Sequence, residues 1–335
     1  MIYQHFHPHL YPPPSRGRSF STDSLDLARL DVAFHRPRSG RTGFCHLINL
    51  DNIKFGKGNL MPELPEVETI VRGLQKTVVG KRIKDVKIIF PGIVKQDTKK
   101  FRKNVEKAKI IRVRRQGKYI LIDLSNGNTI LAHLGMTGNF LLVKSSSPLN
   151  KHDHLIVRFY ENNKELRYND QRKFGKIKSF PTSKEESVSE LKKLGPESLN
   201  ISYFDFVNLF QKRKGRIKSA LLNQQIIAGL GNIYADESLF EAKIHPEQKA
   251  EKLSPPKLEE LRQAIQKILK KAIKAGGSSI ENYYNINGEI GSFQLQHKVY
   301  GREGLSCKRC GTKIKRIKIS QRSSYFCPKC QPLKD

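Results

Sequence analysis

The stretch CKRCGTKIKRIKISQRSSYFCPKC, residues 307–330, most narrowly limits how this chain can fold. Its cysteines, Cys307, Cys310, Cys327 and Cys330, stand as C-x2-C-x16-C-x2-C, so each pair can grip one ion from a tight turn. Four thiolates in tetrahedral reach favour zinc and leave no open coordination position, which makes the site structural. The fifth cysteine, Cys45, stands alone, and the pattern fits a reducing compartment better than a disulfide framework. Between the pairs the chain carries Lys313, Lys315, Arg316, Lys318 and Arg322 among few apolar residues. That composition predicts a β hairpin whose basic face meets phosphates, against the plainer reading of a merely solvated hairpin.

The rest of the chain is also basic. Its 335 residues carry 62 Lys plus Arg against 31 Asp plus Glu, a net charge of +31. Such an excess attracts polyanions at long range, and nucleic acid is the leading partner; compositional bias toward lysine is the competing explanation. No run of about 18 apolar residues occurs, so no membrane-spanning helix is expected.

Residues 1–60 mix Pro, His, Arg and Ser without lasting periodicity and include YPPPSRGRSF, which neither helix nor strand tolerates. From Met61 the signals sharpen. Val67, Ile70, Val71 and Leu74 recur at helical spacing, with Pro65 suited to a first turn and Gly80 to a stop. Short β-type runs follow: IIRVRR, KYILIDL, NTILAHL, NFLLV, HLIVRFY and ELRYND, with Asn126-Gly127 as a hairpin turn. No βαβ alternation intervenes, so the sheet is expected to be antiparallel. After LGPESL the period becomes helical, with helices expected over 202–212, 216–228, 232–242 and 255–275. GGSSIENYYNINGEIGSF then reads as a long mobile loop before the four-cysteine module.

Two further stretches carry chemistry. In NQQIIAGLGNIYADESLFEA a helix is expected to stop at Gly229, Gly231 to turn the chain, and Asn232 to open the next helix. Backbone N–H groups at that second N-terminus suit a phosphate, although a helical hairpin that only packs would look the same. In NLMPELPEVETIVRGL, Glu63 and Glu66 flank the start of a helix, where carboxylates favour the dipole. KHDH sets His152 and His154 around a single acid at a strand entrance, which does not support a metal site.

MPELPEVETIVRGL, LGMTGNF, KHDH, RYNDQRKFG, LGPE, IKSALLNQQIIAGLGNIYADESLF and the cysteine module with QRSSYFC follow in order over residues 61–331. Together they resemble bacterial formamidopyrimidine-DNA glycosylase, and the sister endonuclease VIII family less closely. The resemblance implies an α+β multidomain protein. Residues 61–192 would form an N-terminal helix plus antiparallel β-sandwich, and 193–292 a helix-two-turn-helix domain with a loop, about 278–292, covering the lesion. Residues 293–335 would form the zinc finger, leaving 1–60 as a non-native or disordered extension. It also implies one structural zinc, damaged double-stranded DNA as partner, a monomer, and a bacterial cytoplasm with nucleoid association.

The implied activity is excision of oxidised purines, 8-oxoguanine and formamidopyrimidines, followed by cleavage at the abasic site through β,δ-elimination. Pro62 matches the family's N-terminal proline nucleophile, whose amine, with a pKa of about 8, attacks C1′ to give a Schiff base. Glu63 matches the proton donor and shuttle, Glu66 a supporting carboxylate, and Lys118 a cation near the reacting sugar. Met136, Arg172 and Phe174 match the side chains that fill the gap left by the flipped base. His152, Arg172, Arg213, Lys214, Lys218 and Asn232 fall where the family contacts DNA, and Arg322 matches an arginine that grips phosphates and assists the last elimination.

An internal proline nitrogen is a tertiary amide with no usable lone pair, so Pro62 requires a free amine. The expectation is translation from Met61 with removal of that Met, or processing of a leader. Were the extension retained, a catalytically dead lesion-binding protein would result. An endonuclease VIII-like glycosylase for oxidised pyrimidines is the other alternative.

Overall fold

The computed structural model describes residues 61–161, 163–279 and 283–334. The expectations for residues 1–60 lie outside these. Helix α1 (Leu64–Thr77) begins where Pro65 supplies a pre-set φ in the first turn and the Glu63 N–H donates to Glu66 Oε2 at 2.9 Å. Its buried stripe is Leu64, Val67, Ile70, Val71 and Leu74.

The strands are β1 (Ile83–Ile88), β2 (Ile110–Gln116), β3 (Tyr119–Leu124), β4 (Asn128–His133), β5 (Gly138–Lys144), β6 (Asp153–Phe159), β7 (Lys164–Asp170) and β8 (Lys176–Pro181). They form two four-stranded antiparallel sheets, β1-β6-β7-β5 and β2-β3-β4-β8. Their apolar residues meet in one core with the α1 stripe from Val67 to Leu74. Helix α2 (Thr98–Val105) closes it with Phe101 and Val105, its N-terminus capped by Asp97. The outer face of the second sheet carries a smaller cluster that packs Leu121, Leu131 and Phe180 under Leu191 of the one-turn helix α3 (Ser189–Lys192).

Helices α4 (Tyr203–Phe210), α5 (Ile217–Leu222), α6 (Asn232–Glu241) and α7 (Pro255–Lys274) form the helix-two-turn-helix part. Its core also takes Leu64 of α1, and Cys307, Ile314, Tyr325 and Cys327 of the cysteine module. In that module β9 (Lys315–Ile319) and β10 (Arg322–Phe326) make the expected hairpin. The start of α1 therefore belongs to one core and the rest of it to the other, which sets Pro62 and Glu63 between the two.

Two expectations need correction. The helix expected over 216–228 ends at Leu222, because Asn223 adopts an extended backbone and side chains compete for the groups a helix would use. Gln224 Nε2 donates to the Leu230 carbonyl at 2.7 Å, and its Oε1 accepts from the Gly229 N–H at 3.0 Å. Gly229 thus sits in a turn with φ +97° rather than ending a helix.

The segment after Gly277, of which residues 280–282 lie outside the described residues, is anchored rather than free at 283–286. Tyr283 and Ile286 join the sandwich core, and the Leu142 N–H of edge strand β5 donates to the Ile286 carbonyl at 3.0 Å. Gly73 of α1 makes room for Ile286: a Cβ there would lie 2.8 Å from Ile286 Cγ1.

Candidate active site and DNA interface

The N-terminus of α6 meets the residue that caps α1. The Glu63 side chain is 2 % exposed; its Oε1 accepts from the Ile233 N–H at 2.9 Å and its Oε2 from the Tyr234 N–H at 3.3 Å. The Leu64 N–H donates to the Gly229 carbonyl at 3.1 Å, fixing the backbone beside it. Residue 231 must be glycine for this approach, since a Cβ there would stand 2.5 Å from Glu63 Oε1. Burial pushes the Glu63 carboxyl up, while Lys118 and the backbone N–H groups of α6 oppose the shift.

Glu66 lies one turn along, also buried. Its Oε2 accepts from the Glu63 N–H at 2.9 Å, and its Oε1 from the Ser278 N–H at 2.8 Å and the Tyr234 hydroxyl at 2.5 Å. Burial first, and the neighbouring Glu63 second, push this carboxyl up to about 7. Two acids whose environments raise them toward neutrality, beside one backbone nitrogen, can divide acid and base work.

Lys118 sits in the β2–β3 turn. Burial pushes its ammonium down; Glu63 and Glu66 pull it up, and Arg322 adds to the depression. The turn is braced by residues the sequence did not single out. Arg115 Nη1 donates to the Gly117 carbonyl at 2.9 Å and to Glu197 at 2.7 Å, while its Nε meets Glu68 of α1 at 2.9 Å. Glu197, from the LGPE stretch, also accepts from the Gly117 N–H. The LGPE stretch thus fixes the Lys118 turn to the 224–228 segment, through the Gly195 N–H to the Gln224 carbonyl at 2.9 Å and the Ala228 N–H to the Pro196 carbonyl at 2.9 Å, while Arg115 ties the turn to α1.

Arg322, exposed at the start of β10, is placed by a buried clasp. Lys218 Nζ contacts Asp236 Oδ1 at 2.6 Å and donates to the Ser323 carbonyl at 3.0 Å; Asn232 Nδ2 donates to the same carbonyl at 3.0 Å. Asp236 Oδ2 in turn accepts from the Tyr325 N–H at 2.9 Å. Lys218, expected at a phosphate, is instead fully buried, with its charge taken up by Asp236. Burial pushes that carboxyl up to about 6, and the Lys218 ammonium beside it favours its charged form. Removing either partner would leave a buried unpaired charge, typically about 3–5 kcal/mol. Asp236 was not foreseen, because an acid in a helix buried on every side shows no partner in sequence.

The expected gap-filling residues come together at the tips of two loops, 134–137 and 171–175. Asp170 ties them: its Oδ1 accepts from Thr137 Oγ1 at 2.5 Å and the Arg172 N–H at 3.2 Å, its Oδ2 from the Gly175 N–H at 2.8 Å. Phe174 is 52 % exposed, and the Arg172 guanidinium lies 4.9 Å from its ring centroid. An exposed Phe held by a rigid loop contradicts simple sheet packing. Met61, Tyr119, His133, Met136, Phe174 and Lys176 line a cavity of about 290 Å³. The position just before Pro62 therefore opens toward the gap-filling side chains. His133 also escaped the sequence reading. The Gly135 N–H donates to its Nδ1 at 3.2 Å, leaving the ring proton on Nε2, and burial beside Lys118 and Lys176 holds it down to about 4.

His152 is half-buried, its ring 6.5 Å from that of His154, whose Nε2 contacts the Asp170 carbonyl at 2.8 Å. Arg213 Nε donates to Leu209 O at 3.2 Å, and Lys214 is exposed in the α4–α5 loop. Neither is tied into the clasp.

The four cysteine sulfurs lie within 4.8 Å of one another, with Cys307–Cys330 at 3.9 Å, Cys310–Cys327 at 3.5 Å and Cys310–Cys330 at 3.4 Å. Tetrahedral zinc–thiolate bonds of about 2.3 Å put sulfurs about 3.8 Å apart, so the set fits one zinc with no free position. N–H groups of Arg309 and Cys330 point at Cys307 and Cys327 sulfurs at 3.4 Å each, as thiolates require. No helix among the described residues is long and apolar enough to cross a membrane.

A two-carboxylate site at a helix N-terminus, protruding loop-tip side chains and a zinc-held basic hairpin define a protein built to work on nucleic acid. Family models match in order: Formamidopyrimidine-DNA glycosylase N-terminal domain over 61–177, Formamidopyrimidine-DNA glycosylase H2TH domain over 194–283, and Zinc finger found in FPG and IleRS over 304–333. The chain is 45% identical over 278 residues to the Formamidopyrimidine-DNA glycosylase of Pediococcus pentosaceus, covering 82% of this chain and 100% of that one. It is 38% identical to Lactococcus lactis Fpg bound to abasic-site DNA, with a TM-score of 0.77 over 81% of this chain and 100% of that chain. A variant of the same Lactococcus lactis protein in complex with Fapy-dG containing DNA matches with the same identity, coverage and TM-score of 0.77. The chain belongs to the formamidopyrimidine-DNA glycosylase family.

Proposed function

We propose that this chain excises oxidised purines from duplex DNA and then cleaves the resulting abasic site, with Pro62 as nucleophile. The observation that carries the reading is the pairing of Glu63 and Glu66 around the Pro62–Glu63 backbone at the α6 N-terminus, beside the cavity holding Met61. A free Pro62 amine forms its N–C1′ bond as the bond from C1′ to the damaged base breaks, and the departing base takes up a proton. Loss of the sugar-ring oxygen's bond to C1′ gives the iminium, which acidifies C2′ and permits successive elimination of the 3′ and 5′ phosphates. Glu63, raised by burial, delivers and recovers protons; Glu66 holds the Glu63 N–H, and Lys118 lies beside both acids. Met136, Arg172 and Phe174 fill the stack, and Arg322 grips phosphate from the finger.

His152, Asn232, Arg213 and Lys214 complete the phosphate contacts; Lys218 acts from beneath the surface by fixing Ser323 next to Arg322. Zinc on the four thiolates supplies folding energy to the finger and no catalysis. The catalytic sandwich, helix-two-turn-helix part and finger correspond to 61–192, 193–292 and 293–335, and the place of work is the cytoplasm, on the nucleoid.

The substrate class is tested by comparing excision of 8-oxoguanine opposite C with excision from a thymine glycol duplex. Faster release of the purine is expected. Faster release of the pyrimidine lesion would overturn the substrate assignment in favour of an endonuclease VIII-like activity.

A further inference from the structure

A line of hydrogen bonds leads away from Glu66 into the interior. Tyr234 Oη donates to Glu66 Oε1 at 2.5 Å, lies 3.3 Å from Ser278 Oγ, and that hydroxyl lies 3.0 Å from His297 Nε2. His297 is 2 % exposed, with its ring edge-on to Phe293 and Tyr300. Its Nδ1 is buried without a hydrogen-bond partner. Burial, together with Lys308 and Arg302, holds its imidazole down to about 3, so the ring carries one proton. Only the Tyr300 backbone opposes that shift; with the proton on Nε2 the ring donates to Ser278 Oγ. The bonds then run one way: His297 Nε2–H to Ser278 Oγ, Ser278 O–H to Tyr234 Oη, Tyr234 O–H to Glu66 Oε1. Each donor strengthens the next, and the series ends on a carboxylate.

We propose that His297 is a positioning residue which, through Ser278 and Tyr234, holds Glu66 as the charged acceptor of the Glu63 N–H and so sets the Pro62–Glu63 backbone for attack. This rests on the catalytic reading given above. The groups facing Glu66 are Glu63 on its own segment, Tyr234 of α6, Tyr283 of the loop, whose hydroxyl donates to the Glu66 carbonyl at 3.1 Å, and Lys118 of the β2–β3 turn. Tyr234 O–H and the Ser278 N–H still donate to Glu66 when the line is cut at His297; what is lost is the polarisation that His297 adds through Ser278 to the Tyr234 hydroxyl.

The sign follows directly. Removing His297 weakens the Tyr234 O–H bond to the ionised form of Glu66 and raises its pKa, so a reaction that needs the carboxylate loses rate at low pH and recovers it at high pH. The test is the rate of borohydride-trapped adduct formation against pH, using protein beginning at Pro62 and a duplex containing 8-oxoguanine. His297→Leu is expected to move the acid limb up by about 0.3 of a pH unit, with the plateau kept. His297→Gln, which restores an N–H donor, should bring the limb back. Ser278→Ala, which cuts the same line one bond nearer Glu66 but leaves the backbone N–H to it, should shift it at least as far, and the double variant no further than Ser278→Ala alone. Coincident limbs for wild type and both single cuts would overturn the proposal. Absence of adduct from the wild type at every pH would instead overturn the catalytic reading itself.

Discussion

Glu63→Gln is expected to lower base excision by about 10²–10⁴-fold while leaving affinity for lesion-containing duplex unchanged. The side chain is buried and its carboxylate is held by the Ile233 and Tyr234 N–H groups, so its charge contributes little to docking. The amide oxygen can still accept the Ile233 N–H, now bonded at 2.9 Å, which preserves the backbone. The amide nitrogen would face the Tyr234 N–H, where the existing bond is the longer one at 3.3 Å, so a modest loss of stability of about 1–3 kcal/mol accompanies the change. What disappears is the proton. Parallel measurement of single-turnover excision and of binding separates the two: equal loss of both would assign Glu63 a structural role.

Cys310→Ser is expected to empty the metal site and weaken DNA binding on the order of tenfold or more at about 0.15 M salt. Structural zinc supplies about 10–16 kcal/mol of apparent binding free energy to small finger peptides, and this finger has few apolar residues of its own. Its ordered part leans on the helices: Cys307, Ile314, Tyr325 and Cys327 share their core. Losing one thiolate frees β9 and β10, and with them Arg322, whose place depends on the Ser323 carbonyl held by Lys218 and Asn232. Zinc content by metal analysis and a salt-controlled titration with duplex DNA measure the outcome. Full affinity at that salt after loss of zinc would show that the finger does not hold DNA.

The elements with strong periodicity or fixed ligand spacing were legible in the sequence. The cysteine array, the α1 stripe and the central strands of the sandwich stand where the pattern puts them. β1, with every third residue buried, and β8, where Ser179 and Phe180 are buried side by side, give no clean alternation and so escaped. The end of α5 was misplaced because Ile226, Ile227, Ala228 and Leu230 look like a helix face, while Gln224 takes over the backbone groups that a helix needs.

In the site, the resemblance carried by short motifs singled out Pro62, Glu63, Glu66, Lys118 and Arg322, and the structure sets Glu63, Glu66 and Lys118 beside one another. The residues that hold them could not be read this way. Asp236 and Lys218 are 18 positions apart on different helices, and Arg115 and Glu197 are 82 apart; only the fold pairs them. Lys218 shows the cost: a lysine in a basic protein reads as a phosphate contact until its burial is known.

The central claim, that the reacting group is the amine of Pro62, is tested by borohydride trapping on a duplex containing 8-oxoguanine, with protein beginning at Pro62 beside the 335-residue chain. The chain beginning at Pro62 should yield a covalent protein–DNA adduct, with the DNA attached to its first residue by mass spectrometry of the digest. The 335-residue chain, if intact by mass, should yield none, because its Pro62 nitrogen is an amide. An adduct of equal yield from the intact chain, or attachment at any other residue, would contradict the mechanism.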